Sequence, residues 1–314
     1  MNAAARASGA FPHIPVLYHE VLSVLQPGTG TRYVDGTLGA GGHAHGLMQH
    51  SAADTQLLGI DQDAAALQIA RTRLADFGAR VHYRQGNFTS MIGFAHELGW
   101  QEVDGILLDL GVSSMQLDSA ERGFSFREDG PLDMRLGDRQ HLTAADVVNG
   151  YSEADLADLI WRYGDERRSR QIARTIVTQR PFQGTQQLAA AISTVVYHKP
   201  GAIHPATRTF QAIRIAVNDE LQSLEVGLKA GLDLLRPGGR MAVISFHSLE
   251  DRIVKHYFRR ESVDCVCPPE RPVCACGHKA VVRRITKKPL RPTDEEIAEN
   301  PRARSSRLRA IEKL

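Results

Sequence analysis

Arg32-Tyr-Val-Asp-Gly-Thr-Leu-Gly-Ala-Gly-Gly-His43 is the stretch on which the fold turns. Arg32–Asp35 reads as a short strand that runs into the glycine cluster 39–42. Glycines at such a bend allow a tight turn and let a ligand approach the backbone closely. A helix from about His43 to His50 follows, and its first amides face the turn. Some twenty residues on, Leu57-Leu-Gly-Ile60 reads as a buried strand closed by Asp61. A carboxylate there can accept hydrogen bonds from both ribose hydroxyls of an adenosine. Outward from this unit come a helix over Ala64–Leu74, a strand over Arg80–Arg84, a helix over Ser90–Glu97 and a strand over Asp104–Leu110. Apolar strands alternating with helices imply a mostly parallel sheet covered on both faces.

The pattern then changes. From about Ser114 to His204 there is no convincing strand. Thr143 can cap a short helix through Val148, and Ser152-Glu-Ala-Asp155 forms a capping box before a helix stopped at Gly164. Ile172 and Ile176 mark one further helix, Leu188–Val196 another. Ala206–Leu235 reads as one long helix stopped by Pro237-Gly-Gly239. A buried strand over Arg240–Phe246, a helix over Leu249–Arg260 and strands over Val281–Ile285 and Ser306–Ile311 complete the chain. The expected class is α/β, with a core formed by residues 11–113 and 206–314 and interrupted by an all-helical insertion, 114–205.

The composition is that of a globular protein: 314 residues, 42% hydrophobic, 24% charged, net charge +2. No apolar run approaches the roughly 18 residues of a membrane span. Met1–Ala10 carries one Arg and no apolar segment, so it reads as a short disordered leader rather than a signal peptide. The cytoplasm is the expected compartment. The charge is uneven: residues 252–314 hold 16 Lys and Arg against 8 Asp and Glu. A basic tail beside an acidic remainder points to phosphate contacts, hence a nucleic-acid partner.

The choice of cofactor follows from the strand ends. Gly39-x-Gly41-x-x-Ala44 formally satisfies the dinucleotide fingerprint, which keeps a nicotinamide-dependent oxidoreductase as an alternative. Asp35 argues the other way, because an acid at that turn repels a pyrophosphate and suits the cationic methionine portion of S-adenosylmethionine. Asn87-Phe88 after the third strand offers an adenine edge, and Asp109 ends the fourth. Four such strand ends fit a methyltransferase better than a dehydrogenase.

At this point the chain resembles the bacterial 16S rRNA cytosine-N4 methyltransferases of the RsmH (MraW) type. The resemblance rests on His13-Ile-Pro-Val-Leu17, Asp35–His43, Asp104–Gln116, Glu121–Phe126, Gly130–Arg135, His204–Gln211, Ile244–Arg252 and Asn300–Ser306, in the family's order. It implies a class I (Rossmann-like) methyltransferase core, S-adenosylmethionine as cofactor and a helical insertion that recognises substrate. It implies a cytosine in the decoding region of 16S rRNA as target, in the setting of the small ribosomal subunit. Carried over by motif, the cofactor contacts fall on Gly41, Gly42, His43, Asp61, Phe88, Asp109 and Gln116.

A cytosine amino group is a poor nucleophile, so a site must accept its N–H hydrogen bonds and take the released proton. Asp109, with carbonyls of the Leu110–Ser114 turn, is the expected acceptor. His247 is either a proton relay or a cap on the helix that follows it, and Ser245 could reach the same edge. Phe124 and Phe126 either pack on a flipped base or belong to the insertion's core. Cys265-x-Cys267 and Cys274-x-Cys276 leave two readings open, a zinc site or reduced free thiols in a basic loop. A non-enzymatic RNA-binding protein with a vestigial pocket is the remaining alternative.

Overall fold

The structure is a computed structural model that describes residues 15–138, 140–196, 203–268, 270–271 and 273–314. The expected leader, Met1–Ala10, lies outside the described residues. The chain forms two compact units, the second being Val112–Ser223 and the first the chain on either side of it.

The first unit is built on a seven-stranded sheet. Its strands are β1 (Arg32–Asp35), β2 (Gln56–Asp61), β3 (Val81–Gln85), β4 (Val103–Asp109), β5 (Leu235–Ser245), β6 (Val282–Arg284) and β7 (Arg307–Lys313). They lie in the order β3-β2-β1-β4-β5-β7-β6. The first five pair in parallel, while β7 runs antiparallel to both β5 and β6. The side chains alternate between two apolar layers, as strand geometry requires. Val34, Leu58, Ile60, Ile106, Leu108 and Val243 pack on one face; Tyr33, Leu57, Leu107, Ala242 and Ile244 belong to clusters on the other. Residues buried on both faces explain why these strands read as nearly unbroken apolar runs.

Helix α1 (Tyr18–Leu25) was not expected from the sequence. It carries no side-chain cap of its own; Leu17, in the left-handed region, donates its amide to Glu296 Oε1 at 2.7 Å, 279 residues away in sequence. Helices α2 (Gly42–Gln49), α3 (Ala64–Arg73) and α4 (Met91–Glu97) follow β1, β2 and β3. Among the described residues, no helix is long and apolar enough to cross a membrane.

The second unit is helical: α5 (Ser114–Asp118), α6 (Ala144–Gly150), α7 (Glu153–Gly164), α8 (Ser169–Gln179), α9 (Thr185–Ser193) and α10 (Thr207–Asn218). Ser113, Thr143 and Ser152 accept hydrogen bonds as N-caps of α5, α6 and α7. Its core gathers Leu156, Ile160, Ile172, Ile176, Leu188, Ile192, Phe210 and Ile213. Phe124 is buried in that core, and Phe126 packs edge-on against Phe210 with centroids 4.9 Å apart.

Two features depart from the sequence reading. The long helix over Ala206–Leu235 is two, α10 and α11 (Glu220–Leu234), broken at Asp219 with φ 48°. Asn218 fixes the break: its side chain accepts from Leu136 N and donates to Met134 O, both at 2.8 Å. The unit boundaries also fall at 111/112 and 223/224, so α10 belongs to the helical unit rather than to the sheet unit. Finally, α12 (Ser248–Glu261) follows β5, and α13 (Asp294–Glu299) precedes β7.

Candidate active site

Because β2, β1 and β4 are parallel neighbours, their carboxyl ends bring Asp61, Asp35 and Asp109 to one edge of the sheet. The glycine turn stitches these ends together. Gly36 N donates to Leu107 O at 2.9 Å, which extends the β1–β4 ladder by one residue. Thr37 N donates to Asp35 Oδ1 at 3.1 Å, while Thr37 Oγ1 accepts from Asp109 N at 2.6 Å. Thr37 lies inside the quoted stretch, yet nothing in its sequence context singles it out as the link between two acids.

Gly39 N donates to Asp61 Oδ2 at 2.7 Å, and Asp63 N donates to Asp61 Oδ1 at 2.9 Å. Each oxygen keeps a lone pair for a further donor. Gly41 caps α2 with φ 75°, where a side chain is strained; an added Cβ would also lie 3.2 Å from Leu74 Cδ1. A Cβ at Gly42 would come within 2.6 Å of Pro15. The turn is therefore closed to side chains by packing as well as by conformation.

The electrostatics are those of an acidic pocket. Burial, with Asp61 nearby, pushes Asp35 up to about 7. Burial, then Asp35 and Glu250, push Asp109 up to about 8. Asp61 is also raised, chiefly by burial. His43 is held down to about 4 by burial and by the Arg73 charge, so its ring is neutral at pH 7. Its Nε2 stands 3.7 Å from Asp109 Oδ2. Both ring nitrogens, and Asp109 Oδ1, are buried without a hydrogen-bond partner. A buried polar atom left unpaired is costly, and these converge on the place a ligand would fill.

The other expected residues are placed as follows. The half-buried Phe88 begins a short helical turn, with its ring so close to Gly227 of α11 that an added Cβ would lie 2.3 Å from it. Gln116 belongs to the second unit, where its side chain accepts from Ser113 N at 2.9 Å in the cap of α5. His247 caps α12: its Nδ1 accepts from Glu250 N at 3.4 Å, and Glu250 Oε2 accepts in return from Phe246 N and His247 N. Its Nε2 lies 3.1 Å from Glu250 Oε1. Ser245 is buried and donates to Arg307 O at 3.4 Å. In the basic tail, Arg309 and Arg307 both pair with Asp251, at 2.6 and 2.9 Å. Those two cations are paired with a carboxylate of the same unit, whereas Arg284, Lys287 and Lys288 are among the exposed cations of the tail.

An unpaired neutral imidazole, three raised carboxyls and a glycine turn shut to side chains fit a cationic nucleoside better than a pyrophosphate. Comparison with known proteins agrees. Ribosomal RNA small subunit methyltransferase H of Geobacter sulfurreducens is 55% identical over 311 residues, covering 97% of this chain and 99% of that one. The proteins of the same name from Syntrophotalea carbinolica and Dehalococcoides mccartyi are 53% and 51% identical over 309 and 304 residues. They too cover 97% of this chain, and respectively 98% and 87% of their own. The dinucleotide reading of Gly39–Ala44 and the vestigial-pocket reading both lapse here. A family model described as the MraW methylase family matches residues 10–314, and the protein belongs to that family.

Proposed function

We propose that the protein transfers the methyl group of S-adenosylmethionine to the N4 amino group of a cytosine in 16S rRNA. The observation that carries this reading is the row Asp61, Asp35, Asp109 at three adjacent strand ends, with His43 and Asp109 lacking partners of their own. Bound at this edge, the cofactor supplies an electrophilic methyl on a sulfonium. The two Asp61 oxygens accept ribose hydroxyls, and the backbone at Gly41 and Gly42 lies against the ligand because no side chain intervenes. Phe88 lends an apolar edge to the adenine. Asp35, and Asp109 in its ionised form, offset positive charge. Asp109 also accepts the N4–H hydrogen bond of the base, orients the nitrogen lone pair and takes the released proton, a role its raised pKa suits.

The helical unit supports a recognition role on its own geometry. Trp161 is 55% exposed, and with Arg167, Arg168, Arg170 and Arg174 it lines an open groove that also holds Glu153, paired with Arg174, and Asp158, paired with Arg162. An aromatic face among guanidinium groups is what stacked bases and phosphates require. The setting is the small ribosomal subunit, and the compartment is the cytoplasm. The test incubates the protein with labelled cofactor and either naked 16S rRNA or small subunits, followed by mass spectrometry of the nucleosides. Label in N4-methylcytidine supports the reading. Label in another nucleoside, or in neither substrate although the cofactor binds, overturns it.

A further inference from the structure

Four thiols meet on the loop that joins α12 to β6. Cys265 and Cys267 come from one Cys-x-Cys segment, Cys274 and Cys276 from a second, and all four sulfurs lie within 4.8 Å of one another. Cys276 Sγ stands 3.6 Å from that of Cys274 and 3.8 Å from that of Cys265. Thiolates about 2.3 Å from a zinc ion at the corners of a tetrahedron are spaced about 3.8 Å apart, so these sulfurs stand at ligand spacing. A disulfide would hold its pair at about 2.05 Å, and all four cysteines are free.

The backbone around them is arranged for anionic sulfur. Cys267 N donates to Cys265 Sγ at 3.4 Å, and Val266 N donates to Cys276 Sγ at 3.5 Å. Such outer donors spread the charge of a metal-bound thiolate. Gly277, with φ 63°, turns the chain immediately after Cys276. Among the described residues the atoms that come together here are the four sulfurs alone, an all-sulfur ligand set, while His278 Nε2 stands 2.8 Å from Arg260 O.

The loop also lacks any apolar reason to hold this shape. Among its described residues none contributes to the buried core, and Val266 and Val273 are 43% and 74% exposed. Its base is closed by Val281 N to Glu261 O at 2.9 Å and Ala280 N to Asp264 Oδ1 at 3.1 Å. Small segments without a core take their fold from a metal or a cross-link.

We propose that Cys265, Cys267, Cys274 and Cys276 bind one zinc ion as a structural four-thiolate site that folds this loop. With four protein ligands the ion has no open position, so the site takes no part in methyl transfer.

The test uses the full, untagged chain purified without chelator. Elemental analysis is expected to find about one zinc per chain, and less than about a tenth of that in the Cys265→Ser/Cys276→Ser variant. Because that variant may misfold, cobalt(II) exchanged into the unaltered protein provides an independent readout. It is expected to show the intense thiolate-to-cobalt charge transfer and tetrahedral d–d bands of a sulfur-only site. Removing the metal is expected to speed proteolysis within 262–281 by about tenfold or more while the circular dichroism changes little. Protein that is metal-free as purified with four freely reacting thiols, two disulfides in the mass spectrum, or iron in place of zinc would each overturn the proposal.

Discussion

His43 Nε2 and Asp109 Oδ2 face each other across 3.7 Å, one ring held neutral and one carboxyl held partly protonated by the same burial. Neither group is satisfied by the other. The sheet edge therefore keeps hydrogen-bonding capacity unspent, which is how a preorganised site binds a polar ligand without first breaking its own contacts.

Asp109→Asn removes the charge and leaves the shape. Losing a charge-assisted contact worth about 1.5–3 kcal/mol is expected to raise the cofactor Kd about 10- to 100-fold. Turnover at saturating cofactor is expected to fall by about 100-fold or more with the proton acceptor gone. Calorimetry and single-turnover kinetics separate the two effects; unchanged turnover at saturation would remove Asp109 from the chemistry.

The pH dependence follows from the same groups. Asp35 and Asp109 titrate at about 7 and about 8 without a ligand, and a cation favours their ionised forms. Cofactor affinity is expected to rise from pH 6 to pH 9, with proton release visible as a buffer-dependent heat of binding. Stability without ligand runs the other way. Native carboxyls with raised pKa hold protons that the unfolded chain has lost above about 4, so these two groups lower stability as pH rises from about 4 to about 8. His43, depressed to about 4, has the opposite sense between about 4 and 6.5 and offsets one of the two carboxyls there. The melting temperature is expected to fall across that range, more steeply above about 6.5, and Asp109→Asn to make the fall shallower.

Gly41→Ala forces a side chain into the left-handed region and against Leu74. The conformational cost alone is about 1–2 kcal/mol. The melting temperature is expected to drop by several degrees, and cofactor affinity to weaken with it. Gly93→Ala provides the control, since no atom lies within 4 Å of that Cβ.

His247→Ser separates capping from proton transfer, because serine is itself a good N-cap. With the cap as its role, the variant is expected to keep the melting temperature and turnover nearly unchanged. A relay would instead cost about 10²–10⁴ in rate.

Arg284, Lys287 and Lys288 are exposed, whereas Arg309 is buried against Asp251. Replacing the three exposed residues by Ala is expected to make the salt dependence of rRNA binding shallower by about 2–3 in log–log slope. Arg309→Ala should leave the slope alone and cost about 1.5–3 kcal/mol of stability, since it removes charge-assisted hydrogen bonds to Asp251, which keeps only Arg307.

The parts of the fold legible beforehand were those written in local signals. The glycine turn, the apolar strands and the caps Thr143 and Ser152 each declare themselves within a few residues. The break at Asp219 did not, because Asn218 fixes it through Met134 and Leu136, over 80 positions away. Helix α1 was invisible for the same reason: its N-terminal acceptor is Glu296. By contrast, α13 was legible and overlooked, with Thr293 three residues before Glu296 and accepting from its amide. Among the site residues, the strand-end acids could be placed from topology alone. The roles of Thr37, which ties Asp35 to Asp109, and of Arg73, which adds to burial in holding His43 neutral, depend on distances that no spacing rule encodes.

The position of β7 bears on how the chain is made. This strand is synthesised after both β5 and β6, yet it sits between them. During translation the inner helical unit has all its residues before β5 emerges, so it can fold first. The edge of β5 then waits, its backbone groups unpaired, until β7 leaves the ribosome. A nascent chain stalled before Arg307 would carry a finished insertion on an open sheet, a species prone to pair with its own copies. Emergence of β7 is what closes that edge.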